Sequence, residues 1–155
     1  VKGMMPGIGE PVFEKLDANL AKAVMSIGAV KGVEIGDGFA SAESFGSSNN
    51  DAFCLDQDKH ITKATNHAGG ILGGISDGSD VILRAAVKPT PSIAKTQQTV
   101  NRDKEPIAIE IGGRHDPIIV PRAVVVVEAM TAITVFDMMM ESMSSNLDRI
   151  KRFFS

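Results

Sequence analysis

Three groups of residues in this sequence are equipped for chemistry: cations in loops at strand ends, a dense run of glycines, and a serine in a nucleophile-like setting. Lys88 follows an apolar strand and precedes Pro89 and Pro91; Arg114 lies in Gly112-Gly113-Arg114-His115-Asp116-Pro117. Loops carried by a rigid scaffold are where ligand-binding groups are commonly placed. A guanidinium fork suits carboxylate or phosphate, and an ammonium acts as a point charge. Asp116 is either the ion-pair partner of Arg114 or a proton acceptor near a ligand. The ion pair is the default reading, because such loop pairs are common and contribute little.

The glycines fall in Asn66-His67-Ala68-Gly69-Gly70-Ile71-Leu72-Gly73-Gly74-Ile75-Ser76-Asp77-Gly78. No Lys-Ser/Thr follows them and G-x-G-x-x-G spacing is missing, so neither nucleotide loop is indicated. Two readings stay open: close backbone approach to a flat or anionic ligand, or tight turns between core elements. Gly74-Ile75-Ser76-Asp77-Gly78 matches G-x-S-x-G, with Asp80 or Asp103 and then His115 available to complete a hydrolase order. A nucleophile elbow needs a strand before the serine and a helix after it. Here glycines precede and a strand follows, which argues against a hydrolase. His60, His67 and His115 form no HxxxH or HExxH pair, so no metal site is expected. Cys54 is the single cysteine, which excludes an internal disulfide and a Cys-rich zinc site and suits a reducing cytoplasm.

The elements that position these groups are legible from periodicity. Phe13, Leu16, Leu20, Val24 and Ile27 recur at three- and four-residue steps, predicting a helix over Glu10 to Ile27 with Pro11 in its first turn and Gly28 ending it. Ala29 to Ile35 reads as a strand, a turn follows at Gly36-Asp37-Gly38, and Phe39 to Ala42 reads as its continuation. Gly46 to Asp51 is a polar loop, and Cys54 to Thr65 reads as an irregular surface excursion. Asp80 to Val87 is a strand apolar on both faces, hence expected to be central. Arg84 within it needs a partner if buried, and Lys31 reads as solvated or paired. Lys88 to Ser92 must be extended, because each proline biases its predecessor away from the helical region. Ile107 to Ile111 is a further strand, and Pro121 opens the longest helix, to about Met143. That helix is apolar on nearly every side, as one buried between layers would be. Leu147 to Phe154 is a short mixed tail. Strands and helices alternate irregularly, so the expected class is α+β: helices packed against a mixed or antiparallel sheet.

Composition bounds the function. The chain has 155 residues, 43% of them hydrophobic, which supports a buried core, so residues 1–155 are expected to form a single compact unit. The net charge is -3 with no basic stripe, so nucleic acid is not an expected partner. The one membrane candidate, Ile118 to Met140, contains Arg122, Glu128 and Asp137. Each charge at the centre of a span costs about 2.5–3.5 kcal/mol, so a soluble core helix is the better reading. The chain begins at Val1 rather than Met, which reads as trimming or as a piece of something longer.

Taken together, several segments resemble the C-terminal part of the chorismate synthase family. They are Gly9-Glu10-Pro11-Val12-Phe13-Glu14-Lys15-Leu16-Asp17-Ala18, Ala29-Val30-Lys31-Gly32-Val33-Glu34-Ile35-Gly36-Asp37-Gly38-Phe39, Asn66 to Ser76, Lys88-Pro89-Thr90-Pro91-Ser92-Ile93, Gly113-Arg114-His115-Asp116-Pro117, Pro121-Arg122-Ala123-Val124 and Glu128-Ala129-Met130. They occur in family order across most of Gly7 to Met140, while Ala52 to Thr65 diverges.

The resemblance implies a shikimate-pathway lyase, a cytoplasmic homotetramer with a β-α-β sandwich fold. It would convert 5-enolpyruvylshikimate 3-phosphate to chorismate and phosphate by 1,4-anti elimination. Reduced FMN is the implied cofactor, lending electron density as phosphate leaves and recovering it afterwards. Carried over by motif, Gly28 and Ala29 match a flavin-contacting helix-to-strand junction, and Gly73 a flavin-contacting glycine. Lys88, Pro89, Thr90, Pro91 and Ser92 match the flavin-phosphate and ring-edge segment. Arg114 matches an arginine at flavin and substrate, and Asp116 the acid near the flavin's reactive nitrogen, a catalytic proton acceptor. The family's N-terminal part, with its acid/base histidines and most substrate-binding arginines, has no counterpart here. The chain is therefore expected to supply one wall of the site and to be inactive alone. A stand-alone flavin- or anion-binding module, or an oligomerisation module, is the alternative.

Overall fold

The computed structural model describes all 155 residues. It is α+β, with three α-helices and four separate two-stranded antiparallel ladders. In chain order the elements are α1 (Leu16–Met25), β1 (Val30–Ile35), a 3-10 helix (Gly38–Glu43), β2 (Phe53–Leu55), β3 (Ile61–Lys63), β4 (Ile71–Leu72), β5 (Ile75–Ser76), β6 (Leu83–Val87), β7 (Gln97–Val100), β8 (Pro106–Ile109), α2 (Val120–Ser144) and α3 (Leu147–Phe154). The ladders are β1–β6, β2–β3, β4–β5 and β7–β8.

α1 begins six residues later than its apolar period suggests. The Glu10 amide donates to the Glu14 carbonyl (2.9 Å), and Val12 takes φ 64°, so Pro11 lies in a turn rather than a helical first turn. Phe13 consequently leaves the stripe and is 85% exposed. Leu16, Leu20 and Val24 remain on it and are fully buried. No side chain caps the helix; the Leu16 amide instead donates to the Gly74 carbonyl at 2.7 Å. Gly28 does not terminate α1 with a left-handed turn. Ala29 holds that conformation, at φ 69°.

The core cluster joins Met4, Ile8, Leu16, Leu20, Ile71, Val81, Val135 and Met138. α2 contributes one stripe, Thr131, Val135, Met138 and Ser142, at steps of four, three and four. The expected burial on every side is not found: Val125, Ile133 and Phe136 are each more than 60% exposed. β6 is likewise not central in this chain, since it pairs β1 alone. Phe39 to Ala42 forms part of the 3-10 helix instead of prolonging β1. Cys54 to Thr65 contains most of the β2–β3 hairpin, with Phe53 opposite Lys63 and Leu55 opposite Ile61. The tail is helical, capped by the Asn146 side chain, which accepts from the amides of Asp148 and Arg149.

Candidate functional site

The cation corner is built by the end of the β1–β6 ladder. Val30 lies opposite Val87, and the Lys88 amide donates to the Ala29 carbonyl at 2.7 Å. Pro89 and Pro91 then stop the pairing, because neither has an N–H to donate. Gly28, Ala29 and Lys88 are thereby brought to one end of the sheet, with Pro89 to Ser92 running out from it as an irregular segment. Lys88 is exposed and has no acidic partner within 4 Å. In the same segment the Thr90 hydroxyl oxygen is buried without a hydrogen-bond partner.

The glycine segment divides into two kinds of position. Cβ atoms on Gly69, Gly70 and Gly74 would lie within 2.3–2.6 Å of Gly36, Asp80 and Lys15 atoms respectively, so these glycines serve packing. Gly73 is different: a Cβ there would meet nothing within 4 Å. Gly73 and Gly74 form the two-residue turn of β4–β5, both with positive φ, as a hairpin turn requires. Ser76 is a structural residue. It is 3% exposed, its hydroxyl donates to the Met5 carbonyl (2.7 Å) and accepts from the Ile8 amide (2.9 Å). The G-x-S-x-G match therefore tethers the N-terminal segment and presents no nucleophile.

Gly73 and the cation corner are not brought together within this chain. The Gly73-Gly74 turn caps the start of α1, whereas Gly28 and Ala29 follow its end. Ten helical residues separate the two by about 15 Å.

In the Gly112 to Pro117 loop, the partner of Asp116 is not Arg114. Arg122, in the first turn of α2, donates from Nη1 to Asp116 Oδ2 at 2.8 Å. Arg114 is exposed and unpaired, and His115 Nε2 lies 2.9 Å from the Ile111 carbonyl. A groove of 770 Å³ between the start of β6 and α2 is lined mainly by apolar residues and contains none of these groups. Lys88 and Arg114, both without an acidic partner, and the orphaned Thr90 hydroxyl are groups of the kind that hold an anionic ligand such as a phosphate.

Sequence reasoning missed the carboxylates that fasten these loops. Asp51 accepts hydrogen bonds from the Thr65 hydroxyl (2.7 Å) and the amides of His67 (2.7 Å) and Ala68 (2.9 Å). Asp37 Oδ2 accepts from the Asn49 amide group (3.1 Å) and lies 2.7 Å from His67 Nδ1. The only advance signal was a polar loop rich in Asn and Asp, which gives no partner. Asp56 similarly accepts from the Asp58 and His60 amides, closing an exposed turn.

Burial alone would raise the Asp51 pKa, but the bonds from Ala68, Thr65 and His67 and the nearby Lys63 charge lower it below the ordinary 3.8. A carboxyl depressed in the folded state adds stability above its unfolded pKa and loses it as pH falls through the folded value. Stability should therefore decline below about pH 4, the unfolded aspartate range. Asp51→Ala should cost about 1–2 kcal/mol at neutral pH, since two part-buried amides lose their acceptor. It should also flatten the acid limb, measured by urea unfolding at pH 3 to 7; an unchanged acid limb would show that Asp51 is not the group responsible.

The comparisons with known proteins agree with one another. The family model described as chorismate synthase matches residues 1–140. The chorismate synthase of Lachnospira eligens is 62% identical over 154 residues, covering 99% of this chain and 42% of the relative. That of Methanocaldococcus jannaschii is 59% identical over 136 residues, covering 87% of this chain and 36% of the relative. A crystal structure of a chorismate synthase superposes with a TM-score of 0.70 at 32% identity, covering 99% of this chain and 38% of the other. The chain thus spans about two-fifths of the length of the curated relatives it matches, and it belongs to the chorismate synthase family.

Proposed function

We propose that this chain is the C-terminal portion of a reduced-FMN-dependent lyase that converts 5-enolpyruvylshikimate 3-phosphate to chorismate and phosphate. The observation that carries the reading is the Ala29–Lys88 corner. There the backbone of a lysine without an acidic partner joins a left-handed junction, two residues before an orphaned hydroxyl. Lys88 and Arg114 would hold anionic groups, and Gly28, Ala29 and Pro89 to Ser92 would offer backbone and small side chains at close range. Bound there, FMN would supply electron density to the allylic system of the substrate. Asp116 is the proposed proton acceptor as the C–H bond breaks. Arg122 holds its Oδ2, which leaves Oδ1 free for that proton. Fixed cations near the departing phosphate lower the barrier by electrostatic preorganisation.

The chain is proposed to be inactive alone, to require the remaining length of the enzyme, and to work in the cytoplasm as part of a homo-oligomer. α2 is long and apolar enough to cross a membrane by length and composition. Its Val135 and Met138 dock on α1's Leu16 and Leu20, which supports the soluble reading. Flavin fluorescence should show saturable quenching by the 155-residue chain. Lys88→Ala combined with Arg114→Ala should weaken it at least about tenfold, the loss of two charge-assisted contacts. Absence of saturation would remove the flavin wall, and turnover by the isolated chain with reduced FMN would overturn its inactivity. The exposed apolar side of α2 favours assembly as a second role; light scattering that finds only monomer would remove it.

A further inference from the structure

The β1–β6 ladder carries one irregularity. Val30 pairs with Val87, but the next rung joins Gly32 to Ala86, so Lys31 is an extra residue on a β-bulge. Bulges bend a strand and re-aim the side chain they carry, and they concentrate beside functional sites. We infer that Lys31 is a second cation of the Lys88 corner, and that the two ammonium groups together bind a phosphate monoester. This rests on the flavin and substrate reading only for which molecule supplies the phosphate.

The placement follows from alternation along the strands. Val30 is 2% exposed and packs inward, whereas the bulged Lys31 is exposed. Val87 is half-buried on the inner face, so Lys88 turns outward as well. The two lysines flank the Val30–Val87 rung diagonally, and such positions lie about 7–8 Å apart at their Cα atoms. Four-carbon side chains from both can converge on one anion.

Electrostatics along the outer face supports the assignment. At the far end of the ladder, Arg84 pairs with Glu34 at 3.2 Å and also donates to the Asp37 carbonyl at 3.3 Å. The next rung outward is Gly32 opposite Ala86, where a Cβ on Gly32 would sit 3.5 Å from the Ala86 Cβ. This rung offers no bulk that would cover a ligand. At the near end, neither Lys31 nor Lys88 has a carboxylate within 4 Å, although Lys63, Arg84 and Arg122 each do. Two like charges held diagonally on one face repel. A dianion between them converts that repulsion into attraction.

The test follows backbone amide shifts of the 155-residue chain by NMR while inorganic phosphate, FMN or riboflavin is added. Phosphate and FMN should give saturable shifts at residues 29–32 and 86–88. Lys31→Met should weaken both about tenfold, the loss of one charge-assisted contact. An equal weakening with riboflavin, which has no phosphate, would overturn the inference, as would phosphate shifts that ignore Lys31→Met. If FMN fails to bind while phosphate still shifts these amides in a Lys31-dependent way, the flavin reading falls and the phosphate site stands. In that case a phosphorylated substrate is the source, and shikimate 3-phosphate, which carries no flavin ring, should reproduce the shifts.

Discussion

Lys63→Met is expected to destabilise the chain by about 3–5 kcal/mol, the usual result of removing one partner of a buried ion pair. Lys63, on β3, and Asp77, just after β5, form an ion pair with side chains 4% and 8% exposed. Burial alone would raise the Asp77 pKa, but the Lys63 hydrogen bond and the Ser79 bonds keep it below its ordinary value. Without Lys63 the carboxylate stays buried with only Ser79 as partner. The double variant Lys63→Met, Asp77→Leu should recover most of the loss, because two apolar groups of similar volume need no partner. Urea unfolding of the four proteins in the cycle measures this. A loss below about 1 kcal/mol in the single variant would mean that the pair behaves as a surface contact. The effect should be local as well as global. β2–β3 is a two-stranded hairpin with Phe53, Leu55 and Ile61 exposed, and such hairpins are marginal alone. Amide exchange should therefore rise first at residues 53 to 63.

This pair also shows where sequence reading stops. Local periodicity found β1, β6 and the apolar stripe of α1, because each carries a repeat visible within a few residues, and length found α2. It placed the start of α1 too early because the deciding contact, Leu16 to Gly74, spans most of the glycine segment and the hairpin before it. β7 was missed because Gln97-Gln98-Thr99 is polar, and its strand character comes from pairing with Pro106 to Ile109. The hairpin around Lys63 looked irregular because its anchor, Asp77, lies beyond the intervening turn. For Asp116 the sequence offers only the nearer Arg114 as an ion-pair partner, yet Arg122 on the first turn of α2 is the one that reaches it. Motif resemblance, by contrast, identified the family without needing any of these contacts.

The site residues divide by the same logic. Those that answer a backbone demand can be checked inside this chain, while those proposed to hold a ligand have no partner in it. Lys31, Lys88, Arg114, the Thr90 hydroxyl and Gly73 all belong to the second group. Their lack of internal purpose is the common physical argument for an external one. Asp51, Asp37, Asp77 and Ser76 belong to the first group. Under the proposed function, mutation of either group is expected to lower activity of the assembled enzyme, so stability must be measured alongside.

Glycine substitutions make that separation measurable. Gly36→Ala should cost roughly 2–5 kcal/mol, combining overpacking of about 1–3 kcal/mol with the left-handed penalty of about 1–2 kcal/mol. Gly36 has φ 57°, and a Cβ on it would sit 2.1 Å from the His67 carbonyl oxygen and 2.6 Å from the Gly69 nitrogen. Both obstacles are backbone, held by the Gly36 amide on the Ile82 carbonyl and the Asp37 amide on the His67 carbonyl, so neither can yield cheaply. Gly73→Asn is the counterpart. Asparagine tolerates the positive φ that a two-residue hairpin turn needs, and a Cβ there meets nothing. Its cost should stay within about 0.5 kcal/mol. If the open space above Gly73 is kept for the flavin, FMN affinity should nevertheless fall about tenfold or more, equivalent to about 1.4 kcal/mol. The comparison is made with thermal unfolding and flavin titration on the same samples. Gly73→Asn that unfolds like Gly36→Ala would make Gly73 a packing residue. Gly73→Asn that stays folded and binds FMN normally would remove Gly73 from the flavin wall, leaving the Ala29–Lys88 corner as the only contact this chain contributes from its sheet.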